Sequence, residues 1–72
     1  MKVNGESFLI ENLKEATILS LLDHYSLNKT RVAIEINGQI IKRDNYDQHK
    51  LVESDVIEII HFVGGGAGGG RN

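Results

Sequence analysis

Only one stretch of the chain has the apolar periodicity of a helix, and it lies between segments that alternate like strands. Four apolar residues fall at positions i, i+3, i+4 and i+7, the spacing of one helical stripe: Ile18, Leu21, Leu22 and Tyr25. Thr17 precedes the stripe, where its hydroxyl can accept a hydrogen bond from the first turn. The helix is predicted to end between Tyr25 and Leu27, with Asn28 as a left-handed residue beyond the cap. A chain of 72 residues with one helix must bury its strands against that helix, which favours a small α+β domain.

Two strands are predicted before the helix and three after it. The first lies near Val3 and the second over residues 7–10, with Asn4-Gly5 between them as a hairpin turn. After the helix the apolar period returns to two, and the predicted segments are a strand at 32–37 ending in the turn Asn37-Gly38, a return strand at 39–42, and a last strand at 56–63. The order β-β-α-β-β-β predicts a mixed sheet covered on one face by one main helix.

The polar segment 43–50 between the last two strands is predicted to be a loop or a single helical turn, anchored by Tyr46 and Leu51. Residues 53–55 are predicted to form a turn. The core between helix and sheet is predicted to contain Leu21, Leu22, Ile34 and Ile59.

The last strand is apolar on both of its faces. Alternation places Ile57, Ile59 and Val63 on one face, whereas Glu58 shares the other with Val56, Ile60 and Phe62. One helix can cover one face only, so the second set is left exposed, shielded by neighbouring segments, or buried by a partner. Ile60 and Phe62 come just before the C-terminal segment and are predicted to be the partner-docking residues.

The chain divides into a predicted domain at 1–63 and a glycine-rich segment at 64–72. Six of the eight glycines fall in those last nine positions. Glycine loses more backbone entropy on ordering than any other residue, and the segment offers few side chains to pack. It is therefore predicted to be a flexible tail.

Side-chain chemistry is sparse, so the chain is not predicted to be an enzyme. His24, His49 and His61 lack the spacing of metal ligands, and the chain contains no cysteine. Residues 64–70 are followed by no Lys-Ser/Thr pair, and the two remaining residues cannot form a helix, which argues against a phosphate-binding loop. We expect no catalytic residue, no metal and no bound cofactor.

Composition also limits the partners and the location. A formal net charge of −2 does not favour nucleic acid or anionic lipid as a partner. No run approaches the ~20 apolar residues that span a bilayer, and the first residues lack the apolar region of a signal peptide. We expect a cytoplasmic protein that contacts neither nucleic acid nor membrane.

The main chain of the tail can itself carry chemistry. A glycine segment can thread a narrow slot in another protein and deliver a terminal carboxylate there, because it has no side chains to collide with the walls. Adenylation by ATP would convert that poor acyl donor into a mixed anhydride that a sulfur nucleophile can attack. A plain glycine-rich linker is the competing interpretation, and composition does not choose between the two.

The chain resembles the ThiS family of sulfur carrier proteins, which have the ubiquitin-like β-grasp fold. The resemblance extends from Val3 to Gly66 and includes Asn4-Gly5, TILSLL at 17–22, VAIEING at 32–38, IIKR at 40–43 and DVIEIIHFVGGG at 55–66. The last block is the most specific, because it joins the final strand directly to the glycines.

The resemblance implies a role in the synthesis of the thiazole of thiamine. The terminal glycine of such carriers is adenylated by an E1-like enzyme (ThiF-like) that uses Mg-ATP. It then becomes a thiocarboxylate with sulfur from a donor such as a cysteine desulfurase, and a thiazole synthase (ThiG-like) takes that sulfur. On this chain the matching modified residue is Gly66, with Gly64 and Gly65 threading the slot.

The sequence departs from the family pattern at two places. Ser54-Asp55 stands where Gly-Asp is common, a change that a turn can absorb. The chain also continues past Gly66 for six residues, 67–72, which implies removal of the extension, an artefact of expression, or a related carrier that is processed. Two other functions remain open: a MoaD-like carrier for molybdopterin synthesis and a β-grasp interaction module without a covalent step.

Overall fold

The structure is a computed structural model that describes residues 1–62. Its elements, in chain order, are β1 (Lys2–Val3), β2 (Glu6–Ser7), α1 (Ile18–His24), β3 (Val32–Ile36), β4 (Gln39–Ile41) and β5 (Val56–His61). Short 3-10 helices occur at Ile10–Asn12, Lys29–Arg31 and Arg43–Asn45. The predicted element order is confirmed, and the predicted helical turn within 43–50 is present as a 3-10 turn.

The five strands form one mixed sheet in the order β2-β1-β5-β3-β4. β1 and β5 are parallel, whereas the other neighbouring strands are antiparallel. This arrangement places the last strand in the centre of the sheet. The end of β5, after which the glycine-rich segment follows, is thereby held on a rigid support.

Both predicted hairpin turns are confirmed by their backbone angles. Asn4 and Gly5 have φ values of 52° and 85°, and Asn37 and Gly38 have φ values of 53° and 87°. Two consecutive positive φ values define the type I′ turn, whose twist matches that of the flanking strands. Asparagine and glycine tolerate this region best, which explains the same dipeptide at both turns.

The core lies between α1 and the inner face of the sheet, and the four predicted core residues are buried. Leu21, Leu22 and Ile34 are fully buried, and Ile59 is nearly so. The predicted anchors Tyr46 and Leu51 are also buried. The complete buried apolar set is Val3, Leu13, Ile18, Leu21, Leu22, Val32, Ile34, Ile36, Tyr46, Leu51, Ile57 and Ile59.

The predicted cap of α1 is confirmed, but the prediction for its far end was wrong. The Thr17 Oγ1 accepts a hydrogen bond from the Ser20 N–H at 3.2 Å. The left-handed residue after the helix is Ser26, with a φ of 58°, and not Asn28. Asn28 instead caps the next 3-10 turn, where its Oδ1 accepts from the Thr30 N–H at 2.9 Å. Tyr25, the last member of the predicted stripe, is the C-cap and 42% exposed.

Strand ends differ from the prediction by a few residues. The second strand covers Glu6–Ser7 instead of 7–10, and its pairing with the N-terminal strand continues only as far as Phe8, whose N–H donates to the Met1 carbonyl at 2.9 Å. Leu9 is consequently exposed, and Ile10 begins a 3-10 turn. The return strand ends at Ile41 and the last strand at His61. Val63 and the predicted domain boundary lie outside the described residues, as does the predicted tail.

No helix within residues 1–62 has the length and apolar character needed to cross a membrane.

Candidate docking face and C-terminal strand

β5 is paired along both of its edges, but to different extents. Its pairing with β3 covers five residue pairs, from Val32↔His61 to Ile36↔Ile57. Its pairing with β1 covers only Lys2↔Val56 and Val3↔Ile57. The Phe62 N–H then donates to the Arg31 carbonyl at 3.1 Å, which continues the antiparallel pairing to the last described residue.

The asparagines of both hairpin turns hold β5 through their side chains. The Asn4 Oδ1 accepts from the Ile59 N–H at 2.7 Å, and the Asn37 Oδ1 accepts from the Val56 N–H at 2.9 Å. Both asparagines were predicted only as turn residues. The residue type could have indicated this second role. Asparagine tolerates a positive φ, and its side-chain oxygen can accept a hydrogen bond from a neighbouring strand.

The start of β5 is fixed by a small polar network centred on the buried Asp55. Its Oδ1 accepts from the Asn37 Nδ2 at 3.0 Å, and its Oδ2 accepts from the Val52 N–H at 2.9 Å. Asp55 is only 6% exposed, so these bonds satisfy a carboxyl group that burial would otherwise penalise. The turn at 53–55 is therefore tied to the β3–β4 turn.

The outer face of the sheet, opposite α1, carries exposed apolar side chains. The predicted docking residues Ile60 and Phe62 are 42% and 55% exposed, and Val56 beside them is about half exposed. Ile40 was not predicted to belong to this face, but it is 64% exposed and pairs with Glu35 across β3 and β4. Alternation along β4 was the signal that could have found it.

Two glutamate carboxylates also lie on this outer face. Glu35 and Glu58 lie directly opposite each other on β3 and β5. Like charges in this position disfavour the isolated sheet. The outer face therefore combines exposed apolar side chains with negative charge, a combination suited to contact with another protein.

The histidines do not converge in the described part of the chain. Within residues 1–62 no group of three or more His, Cys, Asp or Glu side chains is placed to hold a metal ion. The His24 ring instead packs edge-on against Phe8 and Tyr25, with centroid distances of 5.0 and 5.1 Å. Gly64, Gly65 and Gly66, the residues predicted to thread a slot and carry the modification, lie outside the described residues.

Comparisons with known proteins agree with this architecture. Residues 1–66 match the ThiS family. The chain is 48% identical over 50 residues to the sulfur carrier protein ThiS of Bacillus subtilis, a match that covers 69% of this chain and 76% of that one. It is 36% identical over 64 residues to the thiazole synthase of Magnetococcus marinus, which covers 89% of this chain but 19% of the synthase.

A solved structure supports the fold. The crystal structure of the thiamine biosynthesis protein ThiS from Geobacter metallireducens superposes with a TM-score of 0.72 at 26% identity. The superposition covers 90% of this chain and 96% of that one. The fold is that of a small ubiquitin-like β-grasp protein, and the outer face of its sheet carries exposed apolar side chains. The family match is specific within that class: the chain belongs to the ThiS family.

Proposed function

We propose that the chain is a sulfur carrier protein of thiamine biosynthesis, with the sulfur held as a thiocarboxylate on Gly66. The observation that supports this proposal is where the family match ends relative to the last strand. The match to the ThiS family ends at Gly66, and the same glycine follows the central strand β5 by a few residues. Membership of this family also favours the thiamine branch over a MoaD-like carrier.

The chemistry proceeds in two balanced steps. The Gly66 carboxylate attacks the α-phosphate of Mg-ATP, forming a C–O–P mixed anhydride and releasing pyrophosphate. A sulfur nucleophile then attacks the glycine carbonyl carbon, and AMP leaves with the electron pair of the broken C–O bond. The chain supplies the acyl group in both steps, and Mg-ATP is a co-substrate of the activating enzyme.

The chain's own contribution is docking and delivery. A ThiF-like adenylating enzyme and a ThiG-like thiazole synthase would contact the outer face at Ile60 and Phe62. Both side chains are exposed where β5 ends, so a partner that covers them also receives the segment that follows. Gly64 and Gly65 would thread the slot because they have no side chains. A cysteine desulfurase or a related donor would supply the sulfur in the cytoplasm. Sulfur that arrives as a persulfide would first form an acyl disulfide, which a thiol reductant then cleaves to the thiocarboxylate. The chain itself would catalyse no reaction.

Gly66 must have a free carboxylate for this role. In the 72-residue sequence Gly66 is followed by Ala67, so its carbonyl belongs to a peptide bond whose nitrogen lone pair is delocalised. Removal of residues 67–72 is therefore part of the proposal. The alternative terminus, Gly70, would lie up to ~14 Å further from the docking strand when the segment is extended.

Intact-mass spectrometry tests the proposed function. The form ending at Gly66 is incubated with a ThiF-like enzyme, Mg-ATP and a sulfide source, and the same form without ATP is the matched control. We expect an ATP-dependent mass increase equal to the replacement of one oxygen by sulfur. A folded Gly66 form that yields neither an acyl-adenylate nor a thiocarboxylate would instead support a non-covalent interaction module.

A further inference from the structure

Among the described residues, 1–62, one edge of β5 is open in its second half. The Asn37 N–H donates to the Val56 carbonyl, and the Phe62 N–H donates to the Arg31 carbonyl. The backbone N–H and C=O groups of the even-numbered residues of β5 therefore face β3. The backbone groups of the odd-numbered residues therefore face the β1 side. Because β1 turns back at Asn4, the Ile59 N–H is satisfied only by the Asn4 side chain.

Three backbone groups beyond that point have no partner within residues 1–62. They are the Ile59 carbonyl, the His61 N–H and the His61 carbonyl. Such a row of unpaired donors and acceptors is a template for another strand. The row lies immediately before the segment that leads to Gly66, so it belongs to the part of the chain that a partner approaches.

A cleft of about 270 Å³ lies under this open edge, on the helix side of the sheet. Val3, Leu27 and Ile59 give it apolar walls, and its remaining lining includes Glu6, Tyr25 and His61. A strand added to an edge points alternate side chains to opposite faces. A strand placed beside His61 would therefore direct one side chain into this cleft, which suits an apolar group.

We propose that a strand of the thiazole synthase pairs with the open edge at 59–61 and places an apolar side chain in the cleft. This inference rests on the proposed function. The edge alone is too short for a stable sheet between two copies of this chain. The thiazole synthase of Magnetococcus marinus includes a segment similar to 89% of this chain, so carrier-like and synthase sequences occur together in one polypeptide, which favours the synthase as the partner. Main-chain bonds of this kind supply affinity, and pockets for alternate side chains supply specificity.

A proline substitution tests the backbone bond. His61→Pro and His61→Ala both remove the imidazole, but only proline removes the N–H that faces the open edge. Proline is tolerated in a strand where its nitrogen faces outward, so the two free variants should have similar thermal stability. In the Gly66 form, we expect His61→Pro to bind the thiazole synthase roughly tenfold more weakly than His61→Ala, by calorimetric titration. Equal dissociation constants for two folded variants would overturn the proposal.

Amide hydrogen exchange on the wild-type chain gives a second test that needs no variant. The His61 amide should exchange rapidly in the free protein and slowly in the complex. The Ile60 amide faces β3 and should be protected in both, which makes it the internal control. An unchanged His61 rate in a saturated complex would contradict strand addition.

Two further outcomes separate this inference from its alternatives. Sedimentation of the free chain would overturn it by revealing a dimer that His61→Pro abolishes, because the edge would then serve self-association. Thiocarboxylate formation is measured without the synthase. If the Gly66 form is thiocarboxylated and the two His61 variants bind the synthase equally, the strand pairing fails while the proposed carrier function stands.

Discussion

At the scale of single residues, asparagine has two roles at Asn4. Its φ of 52° places it in the left-handed region, and its Oδ1 accepts the Ile59 N–H at 2.7 Å. The backbone angle was foreseeable from the Asn-Gly pair. The hydrogen bond was not, because it joins residues 55 positions apart and depends on the parallel pairing of β1 with β5.

Substitutions at Asn4 separate these roles. Asn4→Gly keeps the positive φ and removes the side-chain bond, so it should lower the free energy of unfolding by about 1 kcal/mol. Asn4→Ala keeps a Cβ in the left-handed region without the amide that lets asparagine tolerate it, and should cost about 1–2 kcal/mol more than Asn4→Gly. Urea denaturation measures both values. Equal losses in the two variants would show that the backbone conformation contributes little.

Phe62 provides the residue-scale test of docking. Its side chain is 55% exposed, and the Phe62→Ala variant retains the backbone N–H that bonds to Arg31. We therefore expect Phe62→Ala to weaken the complex with the adenylating enzyme roughly tenfold, as aromatic anchors do, with little change in melting temperature. Leu9→Ala is the matched control, because Leu9 is also exposed but lies outside the outer face of the sheet. A fall in melting temperature with unchanged affinity would make Phe62 a packing residue.

At the scale of elements, α1 is too short to be stable alone. It has seven residues, whereas isolated helices shorter than about 12–15 residues are marginal in water. Its stability must come from the Thr17 cap and from the stripe that it buries. The residues that the helix buries are those whose spacing forms the apolar stripe. Apolar periodicity in the sequence was therefore enough to locate the helix.

Leu21→Ala tests the packing of this element. Leu21 is fully buried against the sheet, so the truncation should cost roughly 2–5 kcal/mol through lost burial and a residual cavity. Denaturant unfolding gives the value, and Ile34→Ala on the facing strand should behave in the same way. Curves that superpose on the wild type would contradict the helix-to-sheet packing.

Thr17→Ala tests the cap separately from the stripe. The variant removes the acceptor for the Ser20 N–H and should cost about 0.5–2 kcal/mol. Thr17→Ser retains the hydroxyl and is the control, although it also removes a buried methyl group. A serine variant as unstable as the alanine variant would assign the loss to that methyl group and not to the cap.

The elements that sequence analysis misplaced are those whose limits depend on distant residues. The second strand ends at Ser7, with one further bond from the Phe8 N–H to the Met1 carbonyl, and no local pattern contains the extent of this pairing. The left-handed residue after α1 is Ser26 and not Asn28, because the helix already ends at His24, before the predicted end at 25–27. By contrast, residues 32–36 alternate strictly between buried and partly exposed positions, and their strand was predicted correctly.

At the scale of the whole molecule, the sheet topology places the last strand of the chain in the centre of the sheet. Strand β5 lies between β1 and β3, and the chain leaves the sheet beside the exposed Ile60 and Phe62. Alternation in the sequence placed Ile60 and Phe62 together on that face, but it did not show that the face is exposed. The open edge at 59–61 was not predictable, because it results from the early turn of β1 and is seen only when the register is known.

The free carboxylate of Gly66 is the central requirement of the proposed function. ATP–pyrophosphate exchange, catalysed by the adenylating enzyme, measures it most directly when three forms are compared, ending at Gly66, Gly70 and Asn72. We expect rapid exchange with the Gly66 form, less with the Gly70 form and little with the Asn72 form. The last form places a branched side chain beside the reacting carbon and lengthens the segment that must fit the slot. Exchange with the Asn72 form equal to that with the Gly66 form, in the absence of proteolysis, would contradict the assignment of Gly66 as the activated residue.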